Sequence, residues 1–421
     1  MKAKTVIENG FKETEIGLVP SDWDVVELTE NSVARLIMGQ SPPSSTYNED
    51  KKGLPFLQGK AEFGSVNPSP EKWCTKPSRI VEKNDVLISV RAPVGDVNIS
   101  PFQCSIGRGL AAIRADKKSL PHFLFYYLQY SKKRIEDEGT GSTFKAINKS
   151  VLEHFKMILP EITEQQKIVS VLSKIQQAIE QQDKIIQITK ELKKSLMSRL
   201  FSEGLHSEEQ KETEIGLVPK SWEVVTVGDT CEKPQYGYTE SSTHKPIGPK
   251  FLRITDITEK GVNWAEVPYC KCPKDLIEKY KLQREDIVFA RIGATTGKSY
   301  IIEDCPLAVY ASYLIRVRTK EKVYSAYLYY FFNSDMYWQQ INANKGSSLK
   351  MGVNGSILAA LKFPLPKIEE QKEIVNILSN IDKKLTQSES RKQTLQTLFK
   401  TMLNQLMTGK VRVKNLDIEV N

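Results

Sequence analysis

The segment KETEIGLVPSDWDVVEL at residues 12–28 decides the organisation of the chain, because it returns as KETEIGLVPKSWEVVTV at residues 211–227. Nine consecutive residues are identical at an offset of 199, and Trp23 then matches Trp222. This offset is far too long for a solenoid, whose repeats have about 20–45 residues. The sequence therefore predicts a duplicated domain pair, which we expect to be related by an internal pseudo-twofold axis.

The similarity continues through both halves of the chain. DVLISVRAPVG at 85–95 resembles DIVFARIGATTG at 286–297, and GSTFKAIN at 141–148 resembles GSSLKMGVN at 346–354. The runs at 86–90 and 286–290 predict buried strands, and the segments 121–137 and 325–341 predict short helices. We therefore expect each half to contain a mixed α/β (α+β) globule.

Each globule is followed by a segment of a different kind. Residues 164–202 and 369–408 contain neither Gly nor Pro, follow Pro160 and Pro366, and lead to Gly204 and Gly409. Their apolar residues are spaced alternately three and four apart over about five heptads, which is typical of a coiled coil. The alternative is an amphipathic helix that lies on its own globule.

The two predicted helices are expected to pair with each other. A globule of about 150 residues separates them, a length that favours an antiparallel arrangement. Gln182 and Ser388 interrupt the apolar seam at equivalent positions, where a polar pair would fix the register of the coiled coil. Helices of about 39 residues would be close to 58 Å long.

The repeat predicts five segments along the chain. They are a first globule at 1–160, a first long helix at 161–204, a second globule at 205–366, a second long helix at 367–410, and a tail at 411–421.

Composition excludes several classes of protein. Of the 421 residues 40% are hydrophobic and 26% are charged, which is typical of a globular chain. No stretch resembles a signal-peptide core or a membrane span, so we expect a cytoplasmic protein. Six cysteines are too few for a disulfide scaffold of this length. The net charge of +9 is compatible with a nucleic-acid partner.

Catalytic and metal motifs are weak throughout the sequence. GATTGKS at 293–299 has only three residues between its glycines, whereas a phosphate-binding P-loop needs four. Gly107 and Gly109 lack the third glycine of a dinucleotide site, and Cys270 and Cys272 have the wrong spacing for a zinc site. We therefore expect a protein without catalytic residues or a metal of its own.

These repeated segments carry a family resemblance. The paired strand-turn segments NDVLISVRAPVGDV and EDIVFARIGATTGKS, EIGLVPxxW before each globule, and Leu-Pro-x-Ile-x-Glu-Gln before each long helix are typical of one family. On these residues the chain resembles the specificity (S) subunit of type I restriction–modification enzymes over essentially its whole length.

The resemblance implies a function and a set of partners. The globules would be target-recognition domains that each read one half of a split, asymmetric site in double-stranded DNA. The antiparallel helices would set the spacer and dock two modification subunits, which methylate adenine, and restriction subunits would join them. S-adenosylmethionine and ATP would bind these partner subunits, and this chain would be non-catalytic and bind no cofactor.

Candidate DNA contacts are side chains that can hydrogen-bond to base edges or phosphates. The poorly matching regions 37–63 and 234–257 are expected to contain readers. The matching Arg91 and Arg291 are expected to position phosphates or to belong to the framework rather than to read sequence, and Lys145 and Lys350 also recur in both halves. The candidates are Gln58, Lys60, Arg91, Arg108, Thr143 and Lys145 in the first globule, and Arg253, Thr255, Arg291, Ser347, Ser348 and Lys350 in the second.

Three other functions remain open from the sequence. The chain could be a specificity module for a nuclease–methyltransferase outside the type I class. It could instead be a helical adaptor without a DNA role, or an enzyme whose motifs are not recognisable.

Overall fold

The computed structural model describes residues 6–7, 10–139, 146–258, 261–344 and 352–418. The chain divides into two compact units. Unit 1 comprises Met1–Asp183 and Arg391–Asn421, and unit 2 comprises Lys184–Ser390. Each unit therefore contains one globule and one half of each long helix.

Unit 1 contains fourteen described strands and three helices of its own. The strands are β1 (Val6–Ile7), β2 (Phe11–Thr14), β3 (Gly17–Pro20), β4 (Asp24–Glu27), β5 (Ala34–Met38), β6 (Tyr47–Asn48), β7 (Leu54–Leu57), β8 (Lys72–Cys74), β9 (Ile80–Val81), β10 (Val86–Ser89), β11 (Val97–Ile99), β12 (Cys104–Ile106), β13 (Leu110–Ala115) and β14 (Lys156–Leu159). The helices are α1 (Pro121–Tyr130), α2 (Lys132–Glu138) and α3 (Lys149–Glu153). The long helix α4 (Ile162–Glu203) follows and continues into unit 2.

Four small sheets make up the β structure of unit 1. Their strand orders are β1-β2-β3, β14-β4, β11-β10-β13-β5 and β6-β8-β7-β12-β9. Neighbouring strands are antiparallel except for β7 and β12, which run parallel with Phe56 opposite Ser105. Because the carboxyl ends of these two strands lie together, the loops that follow them also meet.

Unit 2 repeats most of these elements and adds others. Its strands are β15 (Gln210–Thr213), β16 (Gly216–Pro219), β17 (Glu223–Thr226), β18 (Gln235–Tyr236), β19 (Ser242–Thr243), β20 (Lys250–Leu252), β21 (Ile257–Thr258), β22 (Gly261–Val262), β23 (Tyr269–Cys270), β24 (Ile287–Ala290), β25 (Ser299–Ile301), β26 (Ala308–Tyr310), β27 (Leu314–Val317) and β28 (Lys362–Leu365). Its helices are α5 (Val227–Thr230), α6 (Lys274–Tyr280), α7 (Ser325–Phe331), α8 (Asp335–Asn344) and α9 (Gly355–Ala360), followed by the long helix α10 (Ile368–Met407).

The sheets of unit 2 match those of unit 1 strand for strand over most of their extent. Their orders are β15-β16, β17-β28, β18-β27-β24-β25, β19-β23-β20-β26 and β21-β22. The parallel pair is again present, as β20 and β26, with Phe251 opposite Val309. The predicted duplication of a mixed α/β globule is therefore confirmed.

The local sequence explains these elements. Both runs predicted as buried strands lie in the sheets as β10 and β24, and every residue of these strands is buried. The predicted helices at 121–137 and 325–341 are each divided in two. The first is interrupted at Ser131, which lies between α1 and α2.

The Glu-Gln pair at the start of α4 attaches this helix to the globule of unit 1. The side chain of Gln165 is fully buried. It accepts a hydrogen bond from the N–H of Leu120 (3.0 Å) and donates to the carbonyls of Lys118 (2.9 Å) and Pro160 (2.8 Å). Glu164 accepts a hydrogen bond from the indole N–H of Trp23 at 2.8 Å. These bonds give a physical reason for two repeated motifs. EIGLVPxxW supplies Trp23, and Leu-Pro-x-Ile-x-Glu-Gln supplies Glu164 and Gln165.

The start of α10 is attached in the same way in unit 2. Gln371 accepts from the N–H of Tyr324 (2.7 Å) and donates to the carbonyls of Lys322 (3.0 Å) and Pro366 (2.9 Å). Glu370 accepts from the indole N–H of Trp222 at 3.0 Å. We call these two sets of bonds the helix-start clamps.

The halves of the long helices run antiparallel in each unit. In unit 1 Lys167 near the start of α4 donates to the carbonyl of Lys414 beyond the end of α10 (2.8 Å), whereas Asp183 pairs with Lys392. In unit 2 Lys190 pairs with Glu389 (3.4 Å), and Lys193 pairs with Asp382. In these pairs the residue number falls along α10 as it rises along α4, so the predicted antiparallel coiled coil is confirmed.

The alternative interpretation, in which each long helix lies on its own globule, also holds for part of the structure. In unit 1, Ile168 and Leu172 of α4 and Phe399 of α10 belong to the same buried cluster as Trp23. The helix ends are therefore part of the globular core. Gln182 in unit 1 and Ser388 in unit 2 are both buried, at 7% and 5% exposure.

Within unit 1, the segment that follows α10 contacts the start of α4. The guanidinium of Arg412 forms two hydrogen bonds with Asp22 (2.8 and 2.7 Å) and two with Glu164 (both 2.9 Å). It also lies over the ring of Trp23, 5.2 Å from its centroid. This segment thus reinforces the helix-start clamp of unit 1.

Candidate nucleic-acid interface

The loops after the parallel strands of unit 1 come together around residues 107–109, which we call tip loop 1. The N–H of Gly107 bonds to the carbonyl of Leu57 at 2.8 Å, and the N–H of Gln40 bonds to that of Ile106 at 3.0 Å. A Cβ atom on Gly109 would lie 2.4 Å from the carbonyl oxygen of Gln58. Glycine is therefore required for this close contact between loops.

Three of the candidate DNA contacts lie at tip loop 1. Arg108 is the central residue of this loop. The backbone of Gln58 contacts Gly109, the next residue of the same loop. Arg91 follows Val90, whose N–H bonds to the carbonyl of Gly109 at 2.9 Å. Arg91, Arg108 and Gln58 are all exposed. The structure thus brings together two cations and one amide from three separate segments.

Lys60 has a different environment. Its ammonium group pairs with Asp96 at 2.6 Å, and Lys132 pairs with the same carboxylate at 2.6 Å. Burial alone would raise the pKa of Asp96, but hydrogen bonds from Lys132 and Lys60 lower it below its ordinary value. Lys60 therefore already has a carboxylate partner, although the three groups together keep a net positive charge.

Unit 2 has an equivalent loop at residues 311–313, which we call tip loop 2. A Cβ atom on Gly237 would lie 2.2 Å from the carbonyl oxygen of Ala311. Gly39 makes the same kind of approach in unit 1, where a Cβ would lie 2.1 Å from the carbonyl oxygen of Gly107. The supporting glycine is thus repeated, while Gly-Arg-Gly in tip loop 1 becomes Ala-Ser-Tyr in tip loop 2.

Tip loop 2 and the nearby strand β18 present residues that the sequence analysis did not name, although Tyr236 of β18 lies within the predicted reader region 234–257. Tyr313 is 56% exposed and Tyr236 is 40% exposed, and Ser312 lies beside Tyr313. The guanidinium of Arg291 lies 5.0 Å from the centroid of the Tyr236 ring. Alignment of residues 107–109 with 311–313, both just after a strand and just before the matching Leu110 and Leu314, could have identified Ser312 and Tyr313.

The equivalence of Arg91 and Arg291 was predicted wrongly. The N–H of Arg291 bonds to the carbonyl of Tyr313, just as the N–H of Val90 bonds to that of Gly109. The N–H groups of Val353 and Ile147 then bond to the carbonyls of Arg291 and Val90. Arg291 therefore corresponds to Val90, one residue before Arg91, because the strand registers place Ala290 opposite Leu314 and Ser89 opposite Leu110.

Arg253 and Thr255 lie in the turn after β20. Arg253 donates from Nε (3.0 Å) and Nη2 (2.8 Å) to Asp256, and from Nη1 to Ser242 (3.3 Å). The hydrogen bonds to Asp256 raise the pKa of Arg253 above its ordinary value. The Nε and Nη2 groups of Arg253, which could donate two hydrogen bonds to a base, are therefore already bonded to Asp256. Thr255 is exposed on the same turn.

Five candidate residues lie outside the described residues. They are Thr143, Lys145, Ser347, Ser348 and Lys350. Their proposed contacts with DNA stay predictions.

The rejected cofactor motifs have structural roles. GATTGKS forms the turn of the β24–β25 hairpin, where the N–H of Gly297 bonds to the carbonyl of Ala290 at 2.9 Å. A P-loop instead connects a strand to a helix. Gly107 and Gly109 lie in a turn between the strands β12 and β13 rather than before a helix.

The cysteines are not arranged as a metal site within the described part of the chain. No group of three or more His, Cys, Asp or Glu side chains there could hold a metal ion. Burial raises the pKa of Cys270 to about 12 and that of Cys104 to about 11. Both thiols are therefore protonated at neutral pH, which disfavours metal binding.

Over the same described residues, no helix combines the length and the apolar character that crossing a membrane requires.

Comparisons with known proteins agree with this architecture. The family model for the type I restriction modification DNA specificity domain matches twice, at residues 20–190 and 219–397. A crystal structure of the S subunit of a type I restriction–modification system from M. genitalium matches 97% of this chain and 99% of its own, with a TM-score of 0.61 and 16% identity. At this identity the structural match shows a shared fold and nothing further.

Two of the relatives from Methanocaldococcus jannaschii differ in how much of the chain they match. The protein assigned to the type I restriction enzyme MjaX as its specificity subunit is 49% identical over 201 residues, which is 47% of this chain and 47% of that protein. The chain thus matches about half the length of this relative. The specificity subunit of the type I restriction enzyme MjaVIII is 26% identical over 420 residues, covering 97% of this chain and 98% of its own. With two family domains that together span most of its length, the chain belongs to the type I restriction–modification DNA specificity family.

Proposed function

We propose that each unit reads one half of a split, asymmetric site in double-stranded DNA through its tip loop. This proposal is carried by a contrast between the two units. The glycine that supports the tip loop is repeated, whereas the residues of the tip loop itself differ. Gly39 and Gly237 occupy the same place in the two units, but the exposed residues that they support differ. Two readers of this kind would recognise two different half-sites.

The chemistry of tip loop 1 suits the edges of bases in the major groove. An arginine can donate two hydrogen bonds to guanine, and a glutamine can pair with adenine. Arg108 and Gln58 lie together and are exposed, so both could reach the same half-site. Tip loop 2 offers the hydroxyl groups of Ser312 and Tyr313 instead, which would favour a different sequence.

The proposal includes the long helices and the partner subunits. The antiparallel helices would set the length of the spacer between half-sites and would dock two adenine-methyltransferase subunits, which restriction subunits would join. S-adenosylmethionine and ATP would bind these partners, so the chain itself would be non-catalytic and would act in the cytoplasm, where the chromosome lies.

The test is to map methylated adenines genome-wide in a host that carries this gene and the gene of its modification partner. The expected result is one split motif with one methylated adenine on each strand. A mobility-shift titration with duplex DNA at low salt, with and without the methyltransferase subunit, completes the test. Absence of binding under both conditions would contradict the proposal.

A further inference from the structure

Tip loop 2 is a tight turn whose backbone is bonded to other parts of unit 2. The N–H of Leu314 bonds to the carbonyl of Ala311 at 2.8 Å. Ser312 and Tyr313 are therefore the two central residues of the turn. The carbonyl of Tyr313 accepts a hydrogen bond from the N–H of Arg291 at 2.9 Å. The position of Tyr313 is thus set by a backbone that is hydrogen-bonded on both sides of it.

The equivalent turn of tip loop 1 has a glycine in the place of this tyrosine. The N–H of Leu110 bonds to the carbonyl of Gly107 at 3.0 Å, so Gly109 corresponds to Tyr313. A Cβ at Gly109 would lie 2.4 Å from the carbonyl oxygen of Gln58, which leaves no room for a side chain. In unit 2 the same position carries an aromatic ring, and this residue is 56% exposed. The two turns therefore differ by an uncovered ring as well as by their hydrogen-bonding groups.

Two further exposed side chains lie beside Tyr313. Ile292 is 40% exposed and follows the residue whose N–H bonds to the carbonyl of Tyr313. Tyr236 is also 40% exposed. It precedes Gly237, where a Cβ would lie 2.2 Å from the carbonyl oxygen of Ala311. We call Tyr313, Ile292 and Tyr236 the apolar tip, which is formed by three segments that are distant in the sequence.

The two tyrosines of the apolar tip differ in how they are held. The hydroxyl of Tyr236 accepts a hydrogen bond from the N–H of Gly355 at 2.9 Å. The guanidinium of Arg291 lies 5.0 Å from the centroid of the same ring, a favourable cation–π contact. The side chain of Tyr313 has no hydrogen-bond or ring partner within the described part of the chain. Its ring is therefore available to another molecule.

The charge around the apolar tip favours a nucleic acid. The segments 235–238, 290–295, 310–315 and 352–355 meet here, and their sequences contain neither Asp nor Glu. Arg291 is the one cation of these segments, and it pairs with no carboxylate among the residues that the structure describes. DNA phosphates could therefore approach without repulsion from these segments.

An exposed ring at a fixed turn suits the space between stacked bases. Aromatic side chains stack on bases, and apolar side chains of DNA-bending proteins enter between neighbouring base pairs and unstack them. Tyrosine has an apolar ring for this contact and a hydroxyl that can stay in water. The proposed partner methylates adenine, and chemistry on a base requires that the base leaves the stack. A residue that loosens the stack would assist that step.

We propose that Tyr313 enters the base stack of duplex DNA in the half-site read by unit 2, with Ile292 and Tyr236 against the edge of the opened step. The opened step is a pyrimidine–purine step, because such steps unstack most easily. Unit 1 has Gly109 at this position and would use hydrogen bonds instead. This inference rests on the proposed function, which supplies the DNA, and it adds a second mode of recognition.

The experiment uses the full chain with its methyltransferase subunit and duplexes that contain the motif found by methylation mapping. 2-Aminopurine, whose fluorescence rises when it leaves the base stack, replaces one purine at a time in both half-sites. The methylated adenines are kept, because the methyltransferase subunit would itself unstack them. The variants are Tyr313→Ala and Tyr313→Phe. Leu307→Ala is the control, because Leu307 is 51% exposed and lies at the other end of β26.

We expect the wild-type complex to raise the fluorescence several-fold at one step of one half-site only. Tyr313→Phe should give the same signal, because it keeps the ring. Tyr313→Ala should abolish the signal and weaken binding about tenfold, since a contact between a base and an aromatic ring is lost. The control should behave like the wild type. Replacement of the opened step by two adenines, which form a stiffer step, should weaken binding of the wild type but not of Tyr313→Ala.

Three results would overturn this inference and leave the proposed function intact. The wild type and Tyr313→Ala could bind the motif with the same fluorescence at every position. Tyr313→Phe could behave like Tyr313→Ala, which would show that the hydroxyl reads a base edge. Tyr313→Ala could lose the methyltransferase subunit, which would assign the apolar tip to a protein. If the wild-type complex binds no duplex, both this inference and the proposed function are wrong.

Discussion

The helix-start clamps and the tip loops differ in how closely the two units resemble each other. Gln165 and Gln371 are both fully buried and make the same three hydrogen bonds. Tip loop 1 presents Arg108, whereas tip loop 2 presents Ser312 and Tyr313. A change in a clamp would leave buried polar groups unpaired, but a change in an exposed tip would not. The comparison teaches that the tip residues can vary on this scaffold without loss of the attachment between globule and helix.

The largest effect is expected at the clamps. Gln165→Leu would leave the Leu120 N–H and the carbonyls of Lys118 and Pro160 without their partner. The free energy of unfolding should fall by about 3 kcal/mol, since each unpaired buried group costs about 1 kcal/mol or more. Urea titration followed by fluorescence would measure the shift in the unfolding midpoint.

The matched variant of the second clamp is Gln371→Leu, and the control is Gln166→Leu at the neighbouring, half-buried position. If the clamps are equivalent, the first two variants should lose similar stability and the control should lose much less. A Gln371 variant as stable as the wild type would contradict the equivalence of the two clamps.

The next effect is expected at tip loop 1. Arg108→Ala should reduce discrimination at one base position by about 1–3 kcal/mol, because the proposed bidentate contact to a base would be lost. Methylation mapping of a host that carries the variant should show a motif relaxed in one half only. Arg35→Ala is the control, because Arg35 is exposed near the start of β5, the strand that leads to Gly39. Relaxation in both halves would contradict separate readers.

A smaller effect is expected from Arg412, which contacts the clamp of unit 1. Arg412→Met should lower the free energy of unfolding by about 1–2 kcal/mol at neutral pH, since hydrogen bonds to charged groups are lost. The hydrogen bonds from Arg412 lower the pKa of Asp22. This contribution to stability is therefore present above the unfolded-state pKa of about 3.9 and is lost as the pH falls through the lower folded-state pKa.

A titration of unfolding between pH 3 and pH 7 would measure this contribution. The wild-type chain should lose more stability on acidification than Arg412→Met, because only the wild type has this interaction to lose. Equal losses in the two proteins would contradict the assignment.

The smallest effect is expected at Arg91. Arg91→Ala should weaken binding to all duplexes several-fold and reduce the slope of log affinity against log salt by about 1, as for one phosphate contact. Arg291→Ala should leave that slope unchanged, because Arg291 corresponds to Val90 and lies over Tyr236. Selective loss of one half-site on replacement of Arg91 would contradict a phosphate contact.

The sequence predicted the parts of the fold that depend on repetition and periodicity. The duplication, the long helices and their antiparallel pairing follow from matching segments and a regular apolar spacing. It did not reveal why Glu164 and Gln165 recur, because their partners Trp23 and Leu120 are distant in the chain.

The candidate site was harder to predict. Arg108, Gln58 and Arg91 meet only because three loops contact each other through Gly109, a contact between distant residues. Tyr313 was missed because an aromatic residue after a strand is usually part of the core. Tyr236 lies in β18, within the region 234–257 that was expected to contain readers, but it was not named individually. Alignment of arginines across an insertion paired Arg91 with Arg291, whereas the hydrogen-bond register pairs Arg291 with Val90.

The division of the chain into units also bears on its synthesis. Unit 2 is one continuous segment, Lys184–Ser390, whereas unit 1 needs both Met1–Asp183 and Arg391–Asn421. Domains generally fold in order from the N-terminus as the ribosome makes them. Here the globule of unit 1, which is made before unit 2, must wait for the segment 391–418 before its helix pair can form and before Arg412 can reinforce its clamp. Of the two units, unit 1 is therefore begun before unit 2 and completed after it.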